Sequence, residues 1–226
     1  MKLYLSLFTY LITLVFFSTT TYAQHYYNNG ISEYALLLSS QQTELLFSDQ
    51  TNITTDIDQL GILWYETFSS YFDAGLEFGY TEMTQLNNTS SVKLSSGEYA
   101  GLLLRFTPIE KNLYSLELNI NYRFNQSKGE VISQKTAFSW HKITLSPAFL
   151  FHALDELSFF AAPVYSITKG RQIDTGELSQ TKTFQLKNNS GIRLGLDFKP
   201  DKTSKIRLEW SEGTTDGIRL FFSREL

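Results

Sequence analysis

The sequence predicts an all-β protein, an antiparallel, up-and-down transmembrane β-barrel of ten strands (alternatively eight) behind an N-terminal signal peptide. Three observations carry this. Segments that alternate apolar and polar residues recur along the chain, which is the period of a strand whose successive side chains point to opposite faces. No stretch sustains the 3.6-residue periodicity of a helix, so no helix is left over to cover a sheet. The polar side of many segments carries glycines beside isolated charges, which suits a narrow, filled interior better than a solvated outer face.

The elements follow in order. Residues 1–23 read as a signal peptide: Lys2 gives the positive start, Leu3 to Phe17 the apolar run, and Thr21 and Ala23 the −3 and −1 cleavage positions. The competing reading is a membrane anchor, but the run is short against the ~20 apolar residues of a spanning helix. The mature domain is then 24–226. Removing Lys2 takes the formal charge from −4 to −5 without creating a basic patch, so nucleic acid is not an expected partner. There is no cysteine, which excludes disulfides and thiolate metal sites; no cofactor is expected.

The alternation places strands at 31–41, 58–68, 71–82, 98–107, 112–124, 136–151, 156–168, 184–198, 204–212 and 216–225. Short connections follow the even strands, such as "PIEKN" at 108–112 and "KPDKTS" at 199–204. Longer polar ones follow the odd strands, such as 85–97 and 169–182. Short turns at one rim and long loops at the other describe a membrane barrel with periplasmic turns and extracellular loops. The last connection, "GTTDG" at 213–217, is short where a long one is expected, which keeps eight strands open.

In the segment 114–124, Tyr114, Leu116, Leu118, Ile120, Tyr122 and Phe124 oppose Ser115, Glu117, Asn119, Asn121 and Arg123. Aromatics near strand ends (Tyr80, Phe106, Tyr114, Phe198, Trp210) form the girdles of a lipid-facing surface, so the apolar face is read as outward. The last segment puts Ile218, Leu220, Phe222 and Leu226 on one face, as a closing strand must to pair with the first and leave no open edge in lipid.

With the signal peptide, these alternating strands and the amphipathic terminal strand resemble the small bacterial outer-membrane β-barrels, the OmpA/OmpX-like group. The resemblance implies export to the outer membrane with cleavage near Ala23. It implies contact with outer-membrane lipid and lipopolysaccharide, handling by the barrel-assembly machinery during insertion, and a monomeric state. In that group the closing strand ends in an aromatic residue; this one ends in Leu226, with Phe222 four residues earlier and Arg224 between them. Two further features stand apart. Pro147 and Pro163 interrupt strands six and seven and predict bulges or distorted pairing there. Strand two alternates poorly, with Glu66 on the face of Trp64 and Phe68, and is placed at the periplasmic rim.

With the apolar face outward, the lumen receives Glu33, Asp73, Glu77, Glu117, Asp197 and Glu209, and by the same parity Arg105, Arg123, Lys142, Arg193, Arg207 and Arg219. A charge-selective channel would carry one sign. A balanced set predicts paired charges in a plugged lumen, with Asp73 beside Arg105 and Asp197 beside Arg207 on adjacent strands. Catalysis is not expected. Of three histidines, only His141 lies near the outer rim, with Ser139 on its face, and no orienting acid or oxyanion donor accompanies them. Asp49, Asp56 and Asp58 lack the spacing of a calcium loop, so no metal is expected. Lys169 and Arg171 lie where strand seven leaves the membrane and suit anionic headgroups. The role expected is structural or surface interaction through the extracellular loops. The alternatives are a narrow passive pore, a lipid-modifying barrel enzyme, and a soluble periplasmic β-barrel ligand binder.

Overall fold

The computed structural model describes residues 32–86, 94–131, 134–176 and 179–226. The signal peptide and His25 lie outside them. Among the described residues eleven strands make up the fold: β1 (Ser32–Phe47), β2 (Asn52–Ser69), β3 (Phe72–Gln85), β4 (Leu94–Glu110), β5 (Tyr114–Val131), β6 (Gln134–His152), β7 (Leu157–Thr175), β8 (Gln180–Leu186), β9 (Ser190–Phe198), β10 (Ser204–Glu212) and β11 (Asp216–Glu225). All pairings are antiparallel between neighbours, and β11 pairs with β1 from Glu33↔Glu225 to Gln42↔Asp216, which closes the ring.

The strand count depends on height. At the end that carries Ser32 and Leu226, β9, β10 and β11 complete a ring of ten. At the opposite end β8 pairs with β7 on one side and with Leu45–Phe47 of β1 on the other, so the ring there has eight. The β10–β11 hairpin stops beneath this second closure. Its tip residues Thr214 and Thr215 are buried, and Thr43 Oγ1 donates to the Thr214 carbonyl at 3.0 Å. That is why the connection at 213–217 is short: it never reaches the loop surface.

The single strand expected at 184–198 is therefore two. Between Gln185, opposite Lys169, and Ser190, opposite Tyr165, β7 advances four residues while its partner advances five. A one-residue slip turns every later side chain to the other face. Phe184 and Leu186 point inward although Ile192 and Leu194, of the same parity, point outward. The break is held by Lys187 N–H donating to the Glu44 carbonyl and Ser166 N–H to the Asn189 carbonyl.

Of the two outcomes expected at the prolines, the structure shows distorted pairing and no bulge. Pairing of β6 with β7 lapses between Leu145↔Tyr165 and Phe149↔Ala161 and resumes in the same register. Pro147 and Pro163 face each other across this gap, so two missing donors cost one stretch of ladder and no shift. The register shifts lie instead near the lower rim, at Thr67/Ser69 and at Phe106/Ile109, where Pro108 removes a donor. Strand two is also corrected. It runs from rim to rim with Leu60, Ile62 and Trp64 outward and Gly61, Leu63 and Tyr65 inward. Glu66 sits at its lower end, accepting from Trp64 Nε1 at 2.9 Å and Ser32 Oγ at 2.7 Å.

Along most strands the two faces exchange character part-way up. On the lower part the outward residues are apolar, among them Leu36, Leu38, Ile62, Phe78, Leu102, Leu104, Ile143 and Ile167, all well exposed on the barrel wall. Higher on the same face stand Ser40, Asp58, Glu82, Glu98, Gln126, His141 and Lys169. The inward face does the reverse, passing from charges to Leu45, Phe47, Met83, Phe138 and Trp140. The lower barrel is built for a lipid exterior, and the upper collar is built like a water-soluble barrel with an apolar core.

Candidate functional site

The lumen collects the charged residues that alternation assigns inward, and each of the twelve lies inside the ring, buried or half-buried. Strand pairing fixes the nearest partners. Asp73 and Arg105 are directly opposite on β3 and β4, and Arg105 Nε donates to Asp73 Oδ2 at 2.6 Å. Its Nη2 reaches across the lumen to Glu33 Oε2 at 2.9 Å, and Lys205 Nζ stands 3.2 Å from the other Glu33 oxygen. Asp197 and Arg207 pair across β9 and β10 in a two-pronged contact of 2.6 Å and 2.6 Å. Arg123 donates two bonds to Glu77, at 2.6 and 2.7 Å, and one to Gln59 Oε1 at 2.6 Å.

The arginines also lie over ring faces. The guanidinium carbon of Arg105 is 4.7 Å from the Tyr65 ring, Arg123 4.5 Å from Tyr99, and Arg207 4.9 Å from Phe160. Tyr99 has room because β2 and β3 place glycines beneath it: a Cβ on Gly61 would fall 1.9 Å from its hydroxyl. The glycines on the polar face thus make space for aromatic side chains inside a narrow barrel.

Three charges are less well matched. Glu209 is held by Arg219, and Arg193 Nη1 approaches the same Glu209 oxygen only to 3.6 Å. Lys142 has no ion pair or hydrogen bond among the described residues. Glu117 Oε2 has no hydrogen-bond partner there either. Among the described residues, inward charges that escaped the alternation count include Lys205, two residues before Arg207 on its face, and Asp174 near the top of β7. Asp174 is buried and accepts from Thr136 Oγ1 at 2.6 Å, Gln172 Nε2 at 2.9 Å and Gln180 Nε2 at 3.0 Å. Lys205 was legible from parity; Asp174 lay beyond the expected end of its strand.

Above the charges, Leu45, Phe47, Ile53, Met83, Phe138, Trp140, Phe184 and Leu186 form one buried cluster inside the eight-stranded ring. Phe184 is its hub, with ring centroids 5.3 Å from Phe47, 6.4 Å from Phe138 and 6.5 Å from Trp140.

The remaining candidates stay apart from the lumen. His141 points outward, its Nδ1 2.6 Å from the Tyr122 hydroxyl, while Ser139 Oγ accepts from Arg171 Nε at 3.2 Å. The two are not bonded to each other, and among the described residues no carboxylate meets either. Asp56 accepts from Gln42 Nε2, and Asp49 pairs with Lys182 at 2.8 Å, so the three loop acids do not converge. The hydrogen bonds of Lys182 and of Thr51 hold the Asp49 carboxyl well below the usual carboxylate range. Lys169 and Arg171 are exposed on the outer face. On the closing strand, Ile218, Phe222 and Leu226 are exposed outward with Leu220 half-buried, and Arg224 lies beside Tyr34 of β1.

No protein-family model and no curated protein matches the chain. Solved structures do. The translocator domain of the autotransporter NalP from Neisseria meningitidis superposes with a TM-score of 0.52 at 9% identity, covering 96% of this chain and 95% of that one. The chain has the fold of an outer-membrane β-barrel. The outer-membrane protease OmpT from Escherichia coli (TM-score 0.47, 10% identity, 87% of this chain and 94% of that one) and Neisserial surface protein A (0.39, 6%, 72% and 94%) are similar at lower scores. The barrel's outer-membrane location accords with that fold and with the apolar belt on its lower wall.

Proposed function

We propose that this barrel is a non-catalytic outer-membrane protein whose lumen is stopped by its own side chains and whose role is structural or surface interaction through its extracellular loops. The observation that carries the reading is the apolar cluster around Phe184, which occupies the interior of the upper ring where a solute would have to leave. Below it the cations and acids are largely paired with one another, in contrast to the single-sign ring of a selective pore. The polar collar supports the surface role, because it carries the loops clear of the lipid on a rigid base. Lipid and lipopolysaccharide are its lateral neighbours in this reading, the assembly machinery its partner during insertion, and the barrel acts as a monomer.

The test is a planar-bilayer recording of the purified, folded protein. The wild type gives no steady conductance, whereas Phe184→Ala combined with Trp140→Ala gives discrete openings. A large steady conductance from the wild type overturns the reading.

A further inference from the structure

Beneath the apolar cluster the lumen encloses a cavity of about 130 Å³. That compares with the ~10–15 Å³ on this measure that admits one water. Its lining is unbalanced. Seven cations border it, Lys142 and Arg193 among them, against three acids: Glu33, held by Arg105 and Lys205, Glu77, doubly engaged by Arg123, and Glu209, engaged by Arg219. Glu117 does not line this space. Arg193 is left with one loose contact of 3.6 Å to an oxygen already taken, and Lys142 with none.

Like charges held together in a low-dielectric interior are costly unless a counter-charge joins them. Neutral groups beside them also seek a partner. Ser146, two turns of the pleat below Lys142 on β6, is 1% exposed, and its Oγ borders the cavity without a hydrogen-bond partner in the protein. The Arg219 Nε is likewise unpaired. Guanidinium, ammonium and hydroxyl donors converging on one space match the geometry of a tetrahedral oxyanion.

We propose that the lower lumen is a binding site for a small oxyanion of the phosphate or sulfate class, held between Lys142, Arg193 and Arg219. Glu33, Lys205 and Ser223 line the lower end of the same cavity. The site stands whether or not the upper ring conducts.

The experiment uses the full mature chain in detergent micelles, checked for folding by heat-modifiable migration. Inorganic phosphate is titrated at constant ionic strength with chloride as the balance, and its phosphorus resonance reports exchange with the protein. Wild type broadens the phosphate line saturably, and sulfate competes. Lys142→Gln weakens binding at least tenfold. Thr144→Glu sets a tethered carboxylate on the same face of β6 and abolishes binding in a folded barrel, which decides the matter if Lys142→Gln does not fold. Equal broadening by wild type and either folded variant, or equal competition by chloride, overturns the site.

Discussion

Phe184 on β8 lies so close over Gly170 on β7 that a Cβ at Gly170 would come within 2.3 Å of its ring. The same Cβ would meet Trp140 at 2.6 Å, so neither neighbour can yield independently. Gly170→Ala therefore pushes apart the hub of the upper cluster. Overpacking of this kind costs roughly 1–3 kcal/mol. Urea unfolding of the barrel in lipid vesicles should show a loss of that size, with protease cleavage appearing first at the upper loops.

The exchange of faces along the strands predicts where lipid ends. Leu102 and Glu98 lie on the same outward face of β4, one below and one above the change of character. Leu102→Arg should cost ~2–4 kcal/mol, as arginine does near the bilayer midplane, and Glu98→Arg no more than ~1 kcal/mol. Equal costs in vesicle-based unfolding would place the boundary elsewhere.

Breaking the Glu77–Arg123 contact should be far more damaging than replacing it. Glu77→Gln leaves a buried guanidinium without a counter-charge, which costs ~3–5 kcal/mol. Glu77→Leu with Arg123→Met removes both charges and should recover most of that loss. Equilibrium unfolding of the two variants reads the difference directly.

The contact between Asp49 and Lys182 joins the β1–β2 turn to β8. Its carboxyl titrates lower in the folded protein than in the unfolded chain, so the stabilisation is present above the ordinary carboxylate pKa of about 3.9. It is lost only as the pH falls through the lower, folded value. Equilibrium unfolding should show Lys182→Ala less stable than wild type by the same margin at pH 7 and pH 5, with the margin shrinking only as the pH falls below the ordinary carboxylate range.

Much of this architecture was readable from alternation, because in a barrel of neighbouring strands parity alone assigns a face. It assigned the lumen to Arg123 and Glu77, the lipid to Ile120 and Tyr122, and the hairpin partners Asp73–Arg105 and Asp197–Arg207 to adjacent positions. Contacts across the lumen were not readable. Glu33 reaches Arg105 from β1 to β4, and Arg123 reaches Gln59 from β5 to β2, distances set by ring curvature and not by sequence spacing. The apolar core of the collar was hidden for a different reason. Phe138 and Trp140 share the inward parity of Lys142, but a rule that sends leucines and aromatics to lipid holds only where lipid is outside. The slip at 187–189 hid Phe184 and Leu186 in the same way, since the parity of an unbroken strand would have sent them outward.

The double closure of the ring has a mechanical consequence. The wall's seam is stitched in two separate lengths, ten residue pairs between β1 and β11 and three between β1 and β8, with the tip of the last hairpin wedged between them. A sideways gap that starts at the periplasmic edge runs into that wedge and stops, because unfastening the remainder requires pulling Phe47 and Leu45 out of their aromatic packing at the same moment.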